Sequence, residues 1–340
     1  MQPQAFEQRQ ANGPHPLRRA AKALLGMALL AVPVLAAGAS NPGRDFPRFR
    51  LELTAGNAWL NPSGLNLLAE SEDRYQEFSH EAYYNYLVQN GQLRSWNKSI
   101  SGERGRVKIA PLLGLRLKYY LFDFLAISAG FQYSRGGGSQ ELVNGYSRNE
   151  LSNERYIETL TAAPYRLSLD ARQASVGLHY ARSLSPSLAV EGFLAAGVLW
   201  ATARYQSSWT YTWVIQGPNY TWTPYDSSGL LEMDGSGRCL FWEAGARLEI
   251  PVGGAFRAFL EGGYARQAID SISGSGRETL GPLDERWEGQ WRIQRETVTA
   301  PWGALDLRTP SNRRLEGLET EPFRLDLSGF RLRLGLSLAL

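Results

Sequence analysis

Charged residues recur at the centres of apolar, alternating segments of this chain. Arg116 stands among Leu113, Leu115 and Leu117, and Glu191 interrupts the apolar stretch 188–205. Glu243 and Arg247 alternate with Trp242, Ala244, Ala246 and Leu248, while Glu261 follows Leu260 and Arg333 sits between Leu332 and Leu334. A lone charge buried in such surroundings is very unfavourable. Arg116, Glu191, Glu243, Arg247, Glu261 and Arg333 are therefore expected to meet as one belt of opposite charges. Such a belt fills a core or lines an ion path.

Other reactive residue types are sparse. Of the three histidines, His179 alternates with Leu178 and Tyr180 and shares a face with Gly177 and Ala181. No serine–histidine–acid spacing surrounds it, so a packed, hydrogen-bonded imidazole is expected. His80 lies near Glu72, Asp73 and Glu81 without recognisable ligand spacing, and no metal is expected there. The single cysteine, Cys239, excludes an intrachain disulfide and any multi-cysteine metal site. Gly136-Gly137-Gly138 lacks the Lys-Ser/Thr of a phosphate loop and reads as a loop at a strand end. No cofactor motif stands out.

Aromatic residues form a second candidate site. Trp209, Tyr211 and Trp213 precede Gly217-Pro218-Asn219, and Tyr220 and Trp222 follow it, all alternating with threonines. The pattern predicts a hairpin turning at 217–219. Its aromatics serve either as cross-strand pairs or as a binding surface, for which stacking on carbohydrate would fit. Tyr75, Phe78, Tyr83, Tyr84 and Tyr86 form a similar cluster, with Asn90-Gly91 expected as another hairpin turn.

The elements that position these residues are strands. Phe49, Leu51 and Leu53 begin a period-2 pattern that recurs around 107–121, 125–134, 167–180, 188–205, 240–250, 256–267 and 330–340. In the segment 167–180 the apolar phase slips near Gln173, which suggests a bulge. Connections at 122–124, at 183–187 around Pro186 and at 251–255 around Gly253-Gly254 are tight. Those at 60–106, 136–165, 206–238 and 268–322 are long. Tyr119, Tyr120, Phe122 and Phe124 on one side, and Trp200, Tyr205 and Trp242 on the other, suit two aromatic girdles. Residues 287–300, with Trp291, Ile293 and Val298, hold a further hairpin, and a ten-strand count is the alternative if it crosses a membrane. Eight is preferred because an added crossing needs another tight turn.

Eight antiparallel strands with alternating short and long connections predict an all-β, eight-stranded transmembrane barrel with long extracellular loops. A soluble eight-stranded barrel, with its apolar face inside, is the alternative. Mid-strand charges of both signs and a strand running to the last residue favour the membrane. The N-terminal part is an export signal. Arg18-Arg19 and Lys22 precede the apolar run 23–35, and Ala37-Gly38-Ala39 supplies a cleavage site. The expected domains are thus a signal peptide over 1–39 and a barrel over 40–340. The net charge of +3 resides in that signal, and the remaining 32 basic and 32 acidic residues balance. No nucleic-acid partner is implied.

In this architecture the chain resembles the outer-membrane β-barrel proteins of Gram-negative bacteria, in particular the small OmpX/OmpA-type barrels. The most specific part is 330–340, where Phe330, Leu332, Leu334, Leu336, Leu338 and Leu340 occupy every second position. The resemblance implies outer-membrane localisation, contact with outer-membrane lipid, and reading of the strand from Phe330 to Leu340 by the barrel-assembly machinery. Family members usually end in Phe, whereas this chain ends in Leu340. The residue sets of omptin-type proteases and of lipid A deacylases do not carry over: there is no Asp-x-Asp or Asp-x-His, and His179 faces away from lipid. The resulting expectation is a non-enzymatic protein with a surface-interaction or envelope-structural role, with an extracellular ligand or glycan as its expected partner. A narrow channel and an outer-membrane hydrolase are the alternatives.

Overall fold

The computed structural model describes residues 48–60, 62–76, 78, 82–91, 95–101, 107–140, 144–151, 155–162, 165–185, 187–217, 220–301, 303–311 and 319–340. The expected signal segment 1–39, His80, Pro186, Pro218 and Asn219 lie outside them. Eight long strands dominate: β1 (Phe49–Trp59), β2 (Ile109–Phe122), β3 (Leu125–Gln140), β4 (Tyr165–Ser185), β5 (Leu188–Gly217), β6 (Tyr220–Gly253), β7 (Phe256–Ile269) and β8 (Gly329–Ala339). Each pairs antiparallel with its sequence neighbour, and β8 pairs with β1, so the strands form a closed ring. Register places Glu52 opposite Arg116, Glu191 opposite Arg247 and Arg247 opposite Glu261. The ring topology therefore stacks charged side chains side by side.

The polarity of the two faces changes along the strands. In the lower half the outer surface is apolar: Val176 is 67 % exposed and Leu240 81 %, and Leu194, Leu332 and Leu334 are also bare. The side chains facing inward there are charged and buried. This is the inside-out pattern of a strand with lipid on one side. On β5 the outward apolar set runs from Val190 to Trp200. The ten steps between them at about 3.3 Å each, tilted about 40°, cover roughly the 25 Å apolar band of a membrane barrel. Above that level the pattern inverts. Arg204, Asp234 and Arg238 face outward, while Leu167, Leu169, Ala201, Ala203, Tyr205 and Met233 face inward and join one apolar core. The core is closed by helix α1 (Ser63–Gln76), through Leu65 and Leu68, and by Trp291, Ile293, Phe323, Leu325 and Leu327. Asn66 ties α1 to the start of β2, donating to the Val107 carbonyl and accepting from the Val107 amide.

Four expectations are corrected. Strand β4 has no bulge at Gln173, because its pairing with β3 and β5 runs without a shift through that residue. Leu167 and Leu169 face inward into the apolar core, and Gln173 faces inward into the polar lumen. The hydrophobic phase slips because the surroundings invert, not because the backbone does. Gly136, Gly137 and Gly138 lie within β3, paired to Leu169, Ser168 and Leu167, rather than in a loop. Asn90-Gly91 ends helix α2 (Tyr83–Gln89) and is not a hairpin turn. Gly91 has φ +68°, and the amides of Asn90 and Gly91 cap the carbonyls of Tyr86 and Val88. The same dipeptide suits both roles, because each needs left-handed backbone. Tyr120 and Tyr205 face inward and are buried, so they belong to neither girdle.

The exposed girdles are Phe122, Phe124 and Tyr180 below and Trp200, Trp242, Tyr264 and Phe330 above. Residues 287–300 do not cross. Ser273–Leu280 and Leu283–Gln290 form one hairpin, Arg292–Ala300 and Gly303–Ser311 another, and the ring has eight strands. Outside the ring, β5 and β6 continue upward as a ribbon. The ribbon is flanked on one side by Arg155–Ala162, Asn144–Leu151 and Ser95–Ser101, and on the other by Ser273–Leu280 and Leu283–Gln290.

Candidate functional site

The lower lumen holds a continuous network of ion pairs. Glu261 of β7 is its hub. It accepts from Arg116 Nη1 and Nη2 at 2.8 and 3.1 Å, from Arg247 Nη2 at 2.6 Å, and from Arg333. Glu52 of β1 accepts both terminal nitrogens of Arg247 at 2.6 and 2.8 Å and lies 3.0 Å from Lys118 Nζ. Glu243 takes Arg331 at 2.9 Å and Arg333 at 2.8 Å. Lys118 donates to both oxygens of Glu191, at 2.6 and 2.7 Å. Near the periplasmic turns Arg50 donates to Glu249 at 2.5 Å. Near the apolar core the network ends in amides: Gln173 accepts from Arg331 and donates to Gln267, which donates to the Leu327 carbonyl.

Planar guanidinium groups suit this crowding. Each fork reaches two carboxylates at once and its face still packs on an aromatic ring. Arg247 lies 3.7 Å from the Phe259 ring centroid and Arg50 4.9 Å from that of Tyr120. Desolvating so many charges is tolerable only because their hydrogen bonds are made to opposite charges. The structure brings Arg116, Glu191, Glu243, Arg247, Glu261 and Arg333 together. Sequence reasoning omitted Glu52, Lys118 and Arg331 from that group. Glu52 and Lys118 occupy the positions between the apolar residues of β1 and β2, in the phase of Arg116, and that phase was the available signal.

One further grouping sits on the β3–β4–β5 wall. His179 Nδ1 lies 2.6 Å from Glu191 Oε1, and its Nε2 lies 2.8 Å from Ser128 Oγ. Ser128 is 51 residues from His179 in sequence, but β3–β4 pairing puts it opposite Gly177, one inward position away. Among the described residues no cluster of His, Cys, Asp or Glu is arranged to hold a metal.

The second candidate site is the ribbon tip. Its backbone pairs Trp209 with Gly229, Tyr211 with Ser227, Trp213 with Tyr225, Ile215 with Trp222 and Gly217 with Tyr220, with one irregularity after Trp213. The side chains of Trp209, Tyr211, Trp213, Tyr220 and Trp222 lie outside the described part of the structure. Lower on the ribbon, an open groove of about 740 Å³ is lined by residues including Arg204, Gln206, Glu232, Asp234, Arg277 and Arg286. Arg204 pairs with Asp234 at 2.6 Å. Arg277 donates to both oxygens of Asp284, and that pairing holds the Asp284 carboxyl below its ordinary range.

A closed antiparallel ring with a lipid-facing apolar belt, paired girdles and a polar lumen defines the class: a β-barrel of the bacterial outer membrane. Solved structures similar in fold are proteins of that membrane. AlkL matches with a TM-score of 0.24 and 10 % identity, over 88 % of this chain and 95 % of its own. The outer membrane protease OmpT from Escherichia coli matches with a TM-score of 0.24 and 7 % identity, over 88 % and 100 %. LpxR from Salmonella typhimurium matches with a TM-score of 0.18 and 8 % identity, over 86 % and 100 %. No protein family matches the sequence, and no curated protein matches it as a relative.

The expectation of a non-enzymatic chain is corrected here. A serine, His179 and a carboxylate stand in hydrogen-bond contact although no such spacing surrounds His179 in the sequence, and the outer-membrane barrels similar in fold include a protease.

Proposed function

We propose that the protein is a surface-interaction barrel: a filled transmembrane stem that holds an extracellular β-ribbon outward to bind a partner. The observation that carries this reading is the unbroken run of β5 and β6 from the lipid belt to the ribbon tip, with further strands paired along both edges. Such a sheet is anchored by the barrel itself and loses little freedom on binding. The ion-pair network and the apolar core above it occupy the lumen, which turns the reading to the extracellular ribbon. We assign a glycan to it, through the aromatic–threonine alternation at 209–223 and the mixed-charge groove below. The strand ending in Leu340, which closes the ring against β1, is the segment we assign to the barrel-assembly machinery.

Replacing Trp209, Trp213 and Trp222 together by Ala tests the reading. Binding to cells or to a glycan array should fall by at least about tenfold, since each such anchor is worth upwards of 1 kcal/mol. The variant should keep the heat-dependent gel mobility of a folded barrel. Retained binding by a folded variant rules the aromatic surface out.

A further inference from the structure

One chain of hydrogen bonds in the lumen extends beyond the ion pairs. Lys118 anchors both oxygens of Glu191, and Glu191 Oε1 also faces His179 Nδ1 at 2.6 Å. A carboxylate held in this way only accepts, so Nδ1 carries the proton. In the neutral imidazole Nε2 is then a bare lone pair. Ser128 Oγ, 2.8 Å away, donates to it. The sequence of groups is hydroxyl, imidazole, carboxylate, each oriented by the next.

Burial follows the same order. Glu191 is 2 % and His179 1 % exposed, whereas Ser128 is partly open. Around the hydroxyl the wall is built of small residues. Gly130 and Gly177 flank it, and a Cβ on Gly177 would stand 2.9 Å from Ser128 Oγ and 3.2 Å from His179 Nε2. Glycine at 177 is what lets the hydroxyl reach the ring. Lys118 is paired with Ser128 across the β2–β3 ladder and Arg116 with Gly130, so two cationic side chains, held by Glu191 and Glu261, spring from the same wall as the hydroxyl. The apolar core closes the extracellular side, so a substrate would have to enter by the periplasmic mouth, a few residues away along β3.

We propose that Ser128 is a nucleophile, with His179 as its general base and Glu191 as the positioning residue, acting on small acyl esters that enter the lumen. Oγ attacks the carbonyl carbon as its proton passes to Nε2. The bond to the leaving alcohol breaks, and that alcohol takes the proton from Nε2. Water, deprotonated in turn by Nε2, then cleaves the acyl-serine and restores Oγ–H. The balance is ester plus water to acid plus alcohol. This activity is independent of the ribbon and stands or falls separately from glycan binding.

The test is covalent labelling of the full chain, folded in detergent micelles, with diisopropyl fluorophosphate, read by intact mass and peptide mapping. One adduct is expected, on Ser128, absent from Ser128→Ala and slowed about 10²-fold or more in His179→Gln. Glu191→Gln should displace the pH midpoint of labelling, which a purely structural carboxylate would leave in place. Gel mobility confirms that each variant is folded. An equal labelling rate in folded His179→Gln overturns the proposal, as does the absence of any wild-type adduct. Ser128→Cys in a Cys239→Ser background separates the two forms of that failure. Alkylation of the new thiol by a small methanethiosulfonate shows a reachable serine that is not activated, and no alkylation shows a sealed one.

Discussion

At residue scale the lumen is organised around Glu261, which accepts from three arginines, Arg116, Arg247 and Arg333. Glu261→Ala leaves three guanidinium groups short of a buried acceptor. Removing one partner from a buried ion pair typically costs about 3–5 kcal/mol, so the variant should unfold at markedly lower denaturant in detergent or lipid. Asp284→Ala removes an equally well-formed pair with Arg277 at the surface, and its unfolding midpoint should not move measurably. Similar shifts for both variants would show that the lumen is hydrated enough to screen its charges. The hub was legible because Glu261 breaks an apolar alternation at mid-strand. Ser128 was not, because a serine on a polar face is unremarkable until strand pairing delivers it to a histidine 51 residues away.

At element scale β4 shows how one unbroken strand serves two solvents. Its outward residues pass from Ser168 and Asp170, above the girdle, to Ala174, Val176 and Leu178 in the lipid belt, with the register intact throughout. Period-2 analysis reads this as a slip, since it tracks only where the apolar residues go. A polar face turned outward and an apolar face turned inward look the same to it as a shifted backbone. The two readings differ in what they tolerate. Val176→Arg puts a charge near the middle of the apolar band and should cost about 2–4 kcal/mol of stability in lipid vesicles. Ser168→Arg, on the same face of the same strand, should be close to neutral. A comparable loss from Ser168→Arg would place the bilayer higher on β4 than Trp200 and Tyr264 mark it.

At the scale of the whole molecule, eight strands and the alternation of short and long connections were readable because membrane-crossing segments alternate strongly and their lower turns are short. The extracellular sheet was not readable. Segments such as Asn144–Leu151 and Ser273–Leu280 are polar on both faces, so they carry no hydrophobic period although they form regular ladders. Their polarity also hid the second closure of the barrel. Ion pairs fill the lumen at membrane level, and an apolar core under α1 fills it above. An ion crossing the protein would have to displace both. Charges in the lower seal hold one another through short hydrogen bonds, and the upper seal is built mainly of apolar side chains, which cannot replace an ion's hydration. The intact barrel should therefore add no conductance to a planar bilayer. A variant lacking residues 62–76 opens only the upper seal and should stay silent too. Steady channels in that variant alone would mean that the ion-pair layer leaks and that α1 is the gate. Channels in the intact chain would mean that neither seal holds, and the narrow-channel reading would then replace that of a filled stem.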